Sequence, residues 1–188
     1  CDRYVQEASE QLEEAEDGLV VISNAYGDFR AHFDGKRSER ISMAGEPQDT
    51  PLYSRLMETV EPLQDAGHDV LLVQTVPHWG IGASLDWQKC SMLKLQLGAC
   101  ERDITLSEVE NRQGDIADAV EEVARDSGAG WIALDRDVCP DGNCSAVSAE
   151  GMIRYKDGVH ITVDQSRVLT KRFERKITAV EQDDPGSG

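Results

Sequence analysis

Apolar residues along this chain alternate between helical spacing and short continuous runs. Val5, Ala8, Leu12 and Ala15 recur every three or four positions in a Glu-rich background, which predicts a surface helix over residues 3–16. Asp17-Gly18 ends it. Leu19-Val20-Val21-Ile22 is a β-branched run, and it predicts a strand buried on both faces. Residues 25–50 are mostly polar, with Gly, Asp and Arg throughout, and predict a long loop. Leu52, Leu56, Val60 and Leu63 mark the buried face of a second helix, which Pro62 is expected to kink or shorten and Gly67 to end. Val70 to Val73 predict a second buried strand, closed by Pro77. Residues 78–105 are irregular. Val109, Ile116, Val120 and Val123 predict a third helix ended by Gly128, and Trp131 to Leu134 a third strand. Turns and a small hairpin through Met152-Ile153-Arg154-Tyr155 fill 138–156. Ile161 to Glu181 predict the last helix, with Leu169, Phe173, Ile177 and Val180 inward.

Helix and strand therefore alternate, and the connections are long enough for parallel pairing. That order predicts an α/β sheet with helices on both sides. We expect one domain over 1–182 and a flexible tail over 183–188. In such sheets reactive loops gather beyond the carboxyl ends of the strands. Asn24 to Tyr26, Pro77 to Trp79 and Asp157 to His160 are the loops expected to converge there.

Charge narrows the partners. Asp plus Glu number 36 against 19 Lys plus Arg, a formal net charge of −17. Such a surface repels phosphate backbones, which argues against nucleic acid as a ligand. No apolar run approaches the roughly 18 residues needed to span a bilayer. Cys90 and Cys100 bracket a short polar loop, and Cys139 and Cys144 bracket Pro-Asp-Gly-Asn. Pairs closing small loops suggest disulfides and an oxidising, extracytoplasmic compartment. A four-cysteine zinc site and free thiols are the other readings of the same four residues, although the usual zinc spacing is absent. Cys1 is left over. It is a partner for a cysteine outside this chain, a lipidated N-terminus, or a free thiol.

The most informative stretch is Asp157-Gly158-Val159-His160. Two intervening residues let the Asp fold back so that its carboxylate meets the imidazole Nδ1–H. That contact would fix the tautomer and leave Nε2 as a base. A base of this kind implies a nucleophile for it to activate. The plain alternative is a solvated turn. Other candidates are weaker. His32, His68 and His78 lack metal-ligand spacing, and His68 reads as a helix C-terminal residue favoured by electrostatics alone. His78 and Trp79 read as packing residues beside a pocket, and Trp87 and Trp131 as anchors. The acidic run from Glu13 to Asp17 reads as a solvated helix face. Ser23, Ser84 and Ser91 sit in no nucleophile elbow. Neither a metal nor a cofactor is expected.

The order of these segments resembles a known family. A strand Leu19–Ile22 ends near Tyr26 and another runs into Val76-Pro77. Cys90…Cys100, a helix, Trp131–Asp135, Cys139…Cys144 and Tyr155-Lys156-Asp157-Gly158-Val159-His160-Ile161-Thr162 then follow. The passage is similar to the SGNH-hydrolase-like domain attached to family 3 membrane acyltransferases, which O-acylate bacterial surface glycans. The resemblance implies a three-layer αβα, flavodoxin-like parallel sheet. It also implies Asp157 and His160 as two members of a catalytic triad, and an acyl-enzyme route. A membrane-embedded acyltransferase domain, a glycan acceptor and an acyl donor would be the partners, and the domain would be extracytoplasmic and tethered to the membrane. Asn24 is the candidate oxyanion donor, with Tyr26 as the alternative occupant of that position.

The sequence departs from the family pattern in one respect. No Gly-Asp-Ser occurs; Gly27-Asp28-Phe29 has only the first two residues. The expectation is that the nucleophile and the sheet's first strand, with a partner for Cys1, lie outside this chain. The exposed sheet edge would then favour self-association. Two rival readings are a non-catalytic module that positions the glycan, and a lipid-anchored binding protein acylated at Cys1.

Overall fold

The computed structural model describes residues 2–23, 32–33, 38–39, 45–79, 93 and 103–183. Elements follow in the order α1 (Asp2–Glu13), β1 (Leu19–Ser23), β2 (His32–Phe33), β3 (Ser38–Glu39) and α2 (Pro51–Asp65). They continue with β4 (Asp69–Val73), β5 (Asp103–Thr105), α3 (Leu106–Ser127), β6 (Gly130–Ile132), α4 (Asp135–Val138), β7 (Asn143–Ser145) and α5 (Val163–Asp183). The chain packs as two compact units. One comprises 1–75, 115–132 and 174–188; the other comprises 76–114 and 133–173.

The first unit is a parallel sheet in the order β1-β4-β6. Leu19 to Ser23 align with Asp69 to Val73, and Leu71 to Val73 align with Gly130 to Ile132. Alternation along β4 sends Val70 and Leu72 to one face and Leu71 to the other. Val70 and Leu72 pack with Leu52, Leu56, Val60 and Leu63 of α2 and with Ile116, Val120 and Val123 of α3. Burying each of these side chains contributes on the order of 2 kcal/mol. On the opposite face, Leu71 and Val180 of α5 both close over Gly130, where an added Cβ would lie 2.8 and 2.7 Å from them. Helices thus cover both faces of a parallel sheet, giving the three-layer α/β arrangement that the sequence implied.

Local chemistry explains the helix starts. Thr50 caps α2 by accepting the Tyr53 N–H at 3.2 Å, and Pro51 takes the first helical position, where no amide donor is needed. Thr105 and Glu108 form a reciprocal cap on α3. The Thr105 hydroxyl accepts the Glu108 N–H at 3.2 Å, and the Glu108 carboxylate accepts the Thr105 N–H at 2.8 Å. The Thr105 N–H, followed by its hydroxyl, holds the Glu108 carboxyl below its usual range.

Several expectations change. β1 is not buried on both faces: its residues alternate between half-buried and exposed, and Val21 is 44% exposed. Among the described residues it stands at the end of the strand order, with β4 on one side. α2 runs through Pro62 to Asp65, shortly before Gly67, so the proline does not shorten it; it removes one backbone donor within the last turn. α1 stops at Glu13, α5 begins at Val163, and β6 ends at Ile132. Of the four residues expected inward on α5, only Leu169 is fully buried; Phe173, Ile177 and Val180 are half-buried, while the polar Gln165 is buried. The polar stretch 25–50 contains the short antiparallel pair β2–β3.

The second unit holds the antiparallel pair β5–β7, with Ile104 opposite Cys144. A Cys139–Cys144 disulfide closes the turn between α4 and β7. Two isolated antiparallel bridges follow: Val147↔Ile153 closes one turn, and Tyr155↔Ile161 closes a second, the hairpin over 155–161.

Candidate active site

Asp157 to His160 form the tip of that hairpin. The Lys156 N–H donates to the His160 carbonyl at 2.8 Å, and the Thr162 N–H to the Arg154 carbonyl at 2.8 Å. At the tip the Asp157 side chain turns back on its own backbone. Its Oδ1 accepts the Val159 N–H at 2.9 Å and the His160 N–H at 2.8 Å, the local bonding for which Asp is favoured in turns. The same carboxylate reaches the imidazole: His160 Nδ1 lies 2.8 Å from Oδ2 and 3.0 Å from Oδ1.

Burial alone would raise the Asp157 carboxyl. Hydrogen bonds from the Val159 N–H, the His160 ring and the His160 N–H outweigh it, and the group is held below its ordinary range. An ionised carboxylate can only accept, so Nδ1 carries the ring proton and Nε2 is the basic nitrogen. The His160 side chain is 70% exposed and that of Asp157 43%. A side-chain contact this exposed contributes little to stability. Its effect is to orient the ring.

The segment after β4 supports the tip from inside. The Trp79 N–H donates to the Gly158 carbonyl at 2.9 Å. The Tyr155 hydroxyl donates to the Pro77 carbonyl at 2.6 Å, and its ring stands edge-on to Trp79 with centroids 4.2 Å apart. Tyr155 is 0% exposed and Trp79 8%. The first turns of α3 hold this segment in turn. Gln113 Oε1 accepts the His78 N–H at 3.1 Å, Gln113 Nε2 donates to the Val76 carbonyl at 3.3 Å, and Arg112 donates to the Trp79 carbonyl. The indole Nε1 of Trp79 is buried with no hydrogen-bond partner among the described residues.

Two of the three loops expected to converge, 77–79 and 157–160, are therefore in contact. Asn24 and Tyr26 of the third lie outside the described residues, as do Gly27-Asp28-Phe29, Ser84, Trp87, Cys1, Cys90, Cys100 and Ser91. Cys139 and Cys144 are joined, with Cα atoms 4.0 Å apart. His68 departs from its expected role as a helix-end charge. It is buried, with Nε2 2.6 Å from the Leu12 carbonyl and Nδ1 3.3 Å from that of Gly18, so it ties the end of α1 to the start of β1. Among the described residues no three His, Cys, Asp or Glu side chains gather as metal ligands would. Sequence reasoning passed over Gln113. The readable signal was a polar residue at an apolar position of α3, four after Val109 and three before Ile116.

The sequence model of the SGNH domains that are fused to AT3 domains matches residues 1–175. The match covers nearly the whole chain, and the chain belongs to that family of SGNH domains. No curated protein matches it. Among the described residues no helix is long and apolar enough to cross a membrane.

Proposed function

We propose that this domain takes part in O-acyl transfer, with acetyl as the group, to a bacterial cell-surface glycan, or in hydrolysis of the corresponding ester. The observation that carries the reading is the His160 Nδ1 to Asp157 carboxylate contact at 2.8 Å, on a chain of the SGNH family fused to AT3 domains. In this reading His160 is the general base. Nε2 takes the proton of a serine hydroxyl as its oxygen attacks the acyl carbonyl, and Asp157 stabilises the imidazolium that forms. The proton then passes to the leaving group. A glycan hydroxyl or water, deprotonated in the same way, releases the acyl group from the serine.

The serine comes from outside residues 1–188, consistent with the lack of a Gly-Asp-Ser sequence. Asn24 is the proposed oxyanion donor; removing one such donor costs about 3 kcal/mol of transition-state stabilisation in comparable sites. The acyl donor is delivered by a membrane-embedded acyltransferase domain, and the SGNH domain works extracytoplasmically, tethered to the membrane. The test is the O-acyl content of the surface glycan in cells carrying H160N or D157N, with protein levels matched. We expect loss of the acyl esters in H160N and a fall of roughly 10⁴-fold in transfer rate for D157N. Normal acylation in both variants would overturn the assignment and leave a glycan-positioning role.

A further inference from the structure

We infer that Tyr155 is a positioning residue for His160, holding the hairpin tip at a fixed height through its bond to the Pro77 carbonyl. The inference rests on the proposed role of the Asp157–His160 pair. The tip meets the segment 77–79 at two points: Gly158 accepts from the Trp79 N–H at 2.9 Å, and Tyr155 donates to Pro77 at 2.6 Å. The T-shaped Tyr155–Trp79 contact joins the same two segments. Two tethers and a ring contact determine both the position and the tilt of the tip. A single tether would leave it free to pivot.

Tyr155 suits this task because it is sealed from solvent while the residues it supports are not. Its ring is 0% exposed, whereas the His160 side chain is 70% exposed. The Asp157 carboxylate orders the turn locally, and the bond from Tyr155 fixes where that turn sits against segment 77–79. A buried phenol bonded to a carbonyl 78 positions away does this without presenting a competing polar group to the site. Burial also pushes the hydroxyl well above its usual range, so it remains a donor wherever the site would work. The carbonyl it grips is not adrift, because Gln113 binds the residues on either side of it, at Val76 and His78.

The test reads the imidazole tautomer of His160 by ¹⁵N chemical shifts on the intact chain, at a pH where the ring is neutral. In the wild type we expect an excess of the Nδ1–H form, because the carboxylate accepts that proton. D157N, whose amide NH2 can instead donate to Nδ1, defines the signal of a ring without the carboxylate. Y155F keeps the ring against Trp79 and deletes only the hydroxyl, and we expect its His160 shifts to move most of the way toward those of D157N. A wild-type signal equal to that of D157N would sink the site assignment itself. A wild-type signal distinct from D157N, with Y155F unchanged from wild type, would overturn the positioning role alone. Should Y155F fail to fold, Q113A loosens the same carbonyl segment from the α3 side and must shift the signal in the same direction. An unmoved signal there would also overturn the inference.

Discussion

Val180 of α5 closes directly over Gly130 of β6. A Cβ at position 130 would lie 2.7 Å from Val180 Cγ2 and 2.8 Å from Leu71 Cδ1. Glycine is required here by proximity rather than by backbone angle. G130A should therefore destabilise the protein by about 1–3 kcal/mol, the usual cost of overpacking. V180A placed in the G130A background should recover part of that loss, because it removes one of the two obstructing methyl groups. Denaturant melts of the two single variants and the double variant check this. Simple addition of the single losses would show that Val180 is not the obstruction.

Acidification should loosen the hairpin tip before it unfolds the core. The Asp157 carboxyl is held below its usual range in the folded chain. Its contribution is complete above the ordinary carboxylate range, where the unfolded group is also ionised. That contribution is lost as pH falls through the lower, folded-state value. The protection of the Val159 and His160 amides, measured as exchange relative to the intrinsic rate from neutral to about pH 2, should fall in that window. In D157A, which has no side-chain acceptor, the two amides should be unprotected at every pH.

Reduction of Cys139–Cys144 should cost about 2 kcal/mol in the loop-entropy treatment, because the closed loop is short. Peptide mapping without reductant should recover the two cysteines linked. The C139S/C144S variant, compared with wild type in denaturant, measures the stability term. Finding these two thiols free in the native protein would contradict the structure.

The reciprocal cap at the start of α3 should also be measurable. T105A removes the hydroxyl that accepts the Glu108 N–H and leaves the strand β5 backbone unchanged. A loss of about 1 kcal/mol is expected, with faster amide exchange confined to the first turn of the helix.

Sequence pattern revealed most of the framework because period and burial are coupled. The residues chosen for α2 (Leu52, Leu56, Val60 and Leu63) are the buried ones, and the run Val70 to Val73 lies in the central strand. β1 misled because a β-branched run has the same composition whether one or two strands flank it. The Asp157–His160 contact was legible from spacing, since Asp followed by two residues and a donor is a local arrangement. The inner support was not. Tyr155 meets Pro77, and Gln113 meets Val76, through contacts that only the folded chain brings together. His68 looked like a helix-end residue because sequence shows its neighbours Gly67 and Asp69, not the carbonyls of Leu12 and Gly18.

The division into two units bears on how the protein can be dissected. Neither unit is a contiguous stretch: the chain passes between them after residues 75, 114, 132 and 173. The second and fourth of these passages fall inside α3 and α5. Subcloning either half would therefore sever a helix in mid-course and strip the fragment of part of its own core. Domain-swap chimeras and truncation libraries aimed at the hairpin should instead graft the entire stretch, with point substitution as the safer means of dissection.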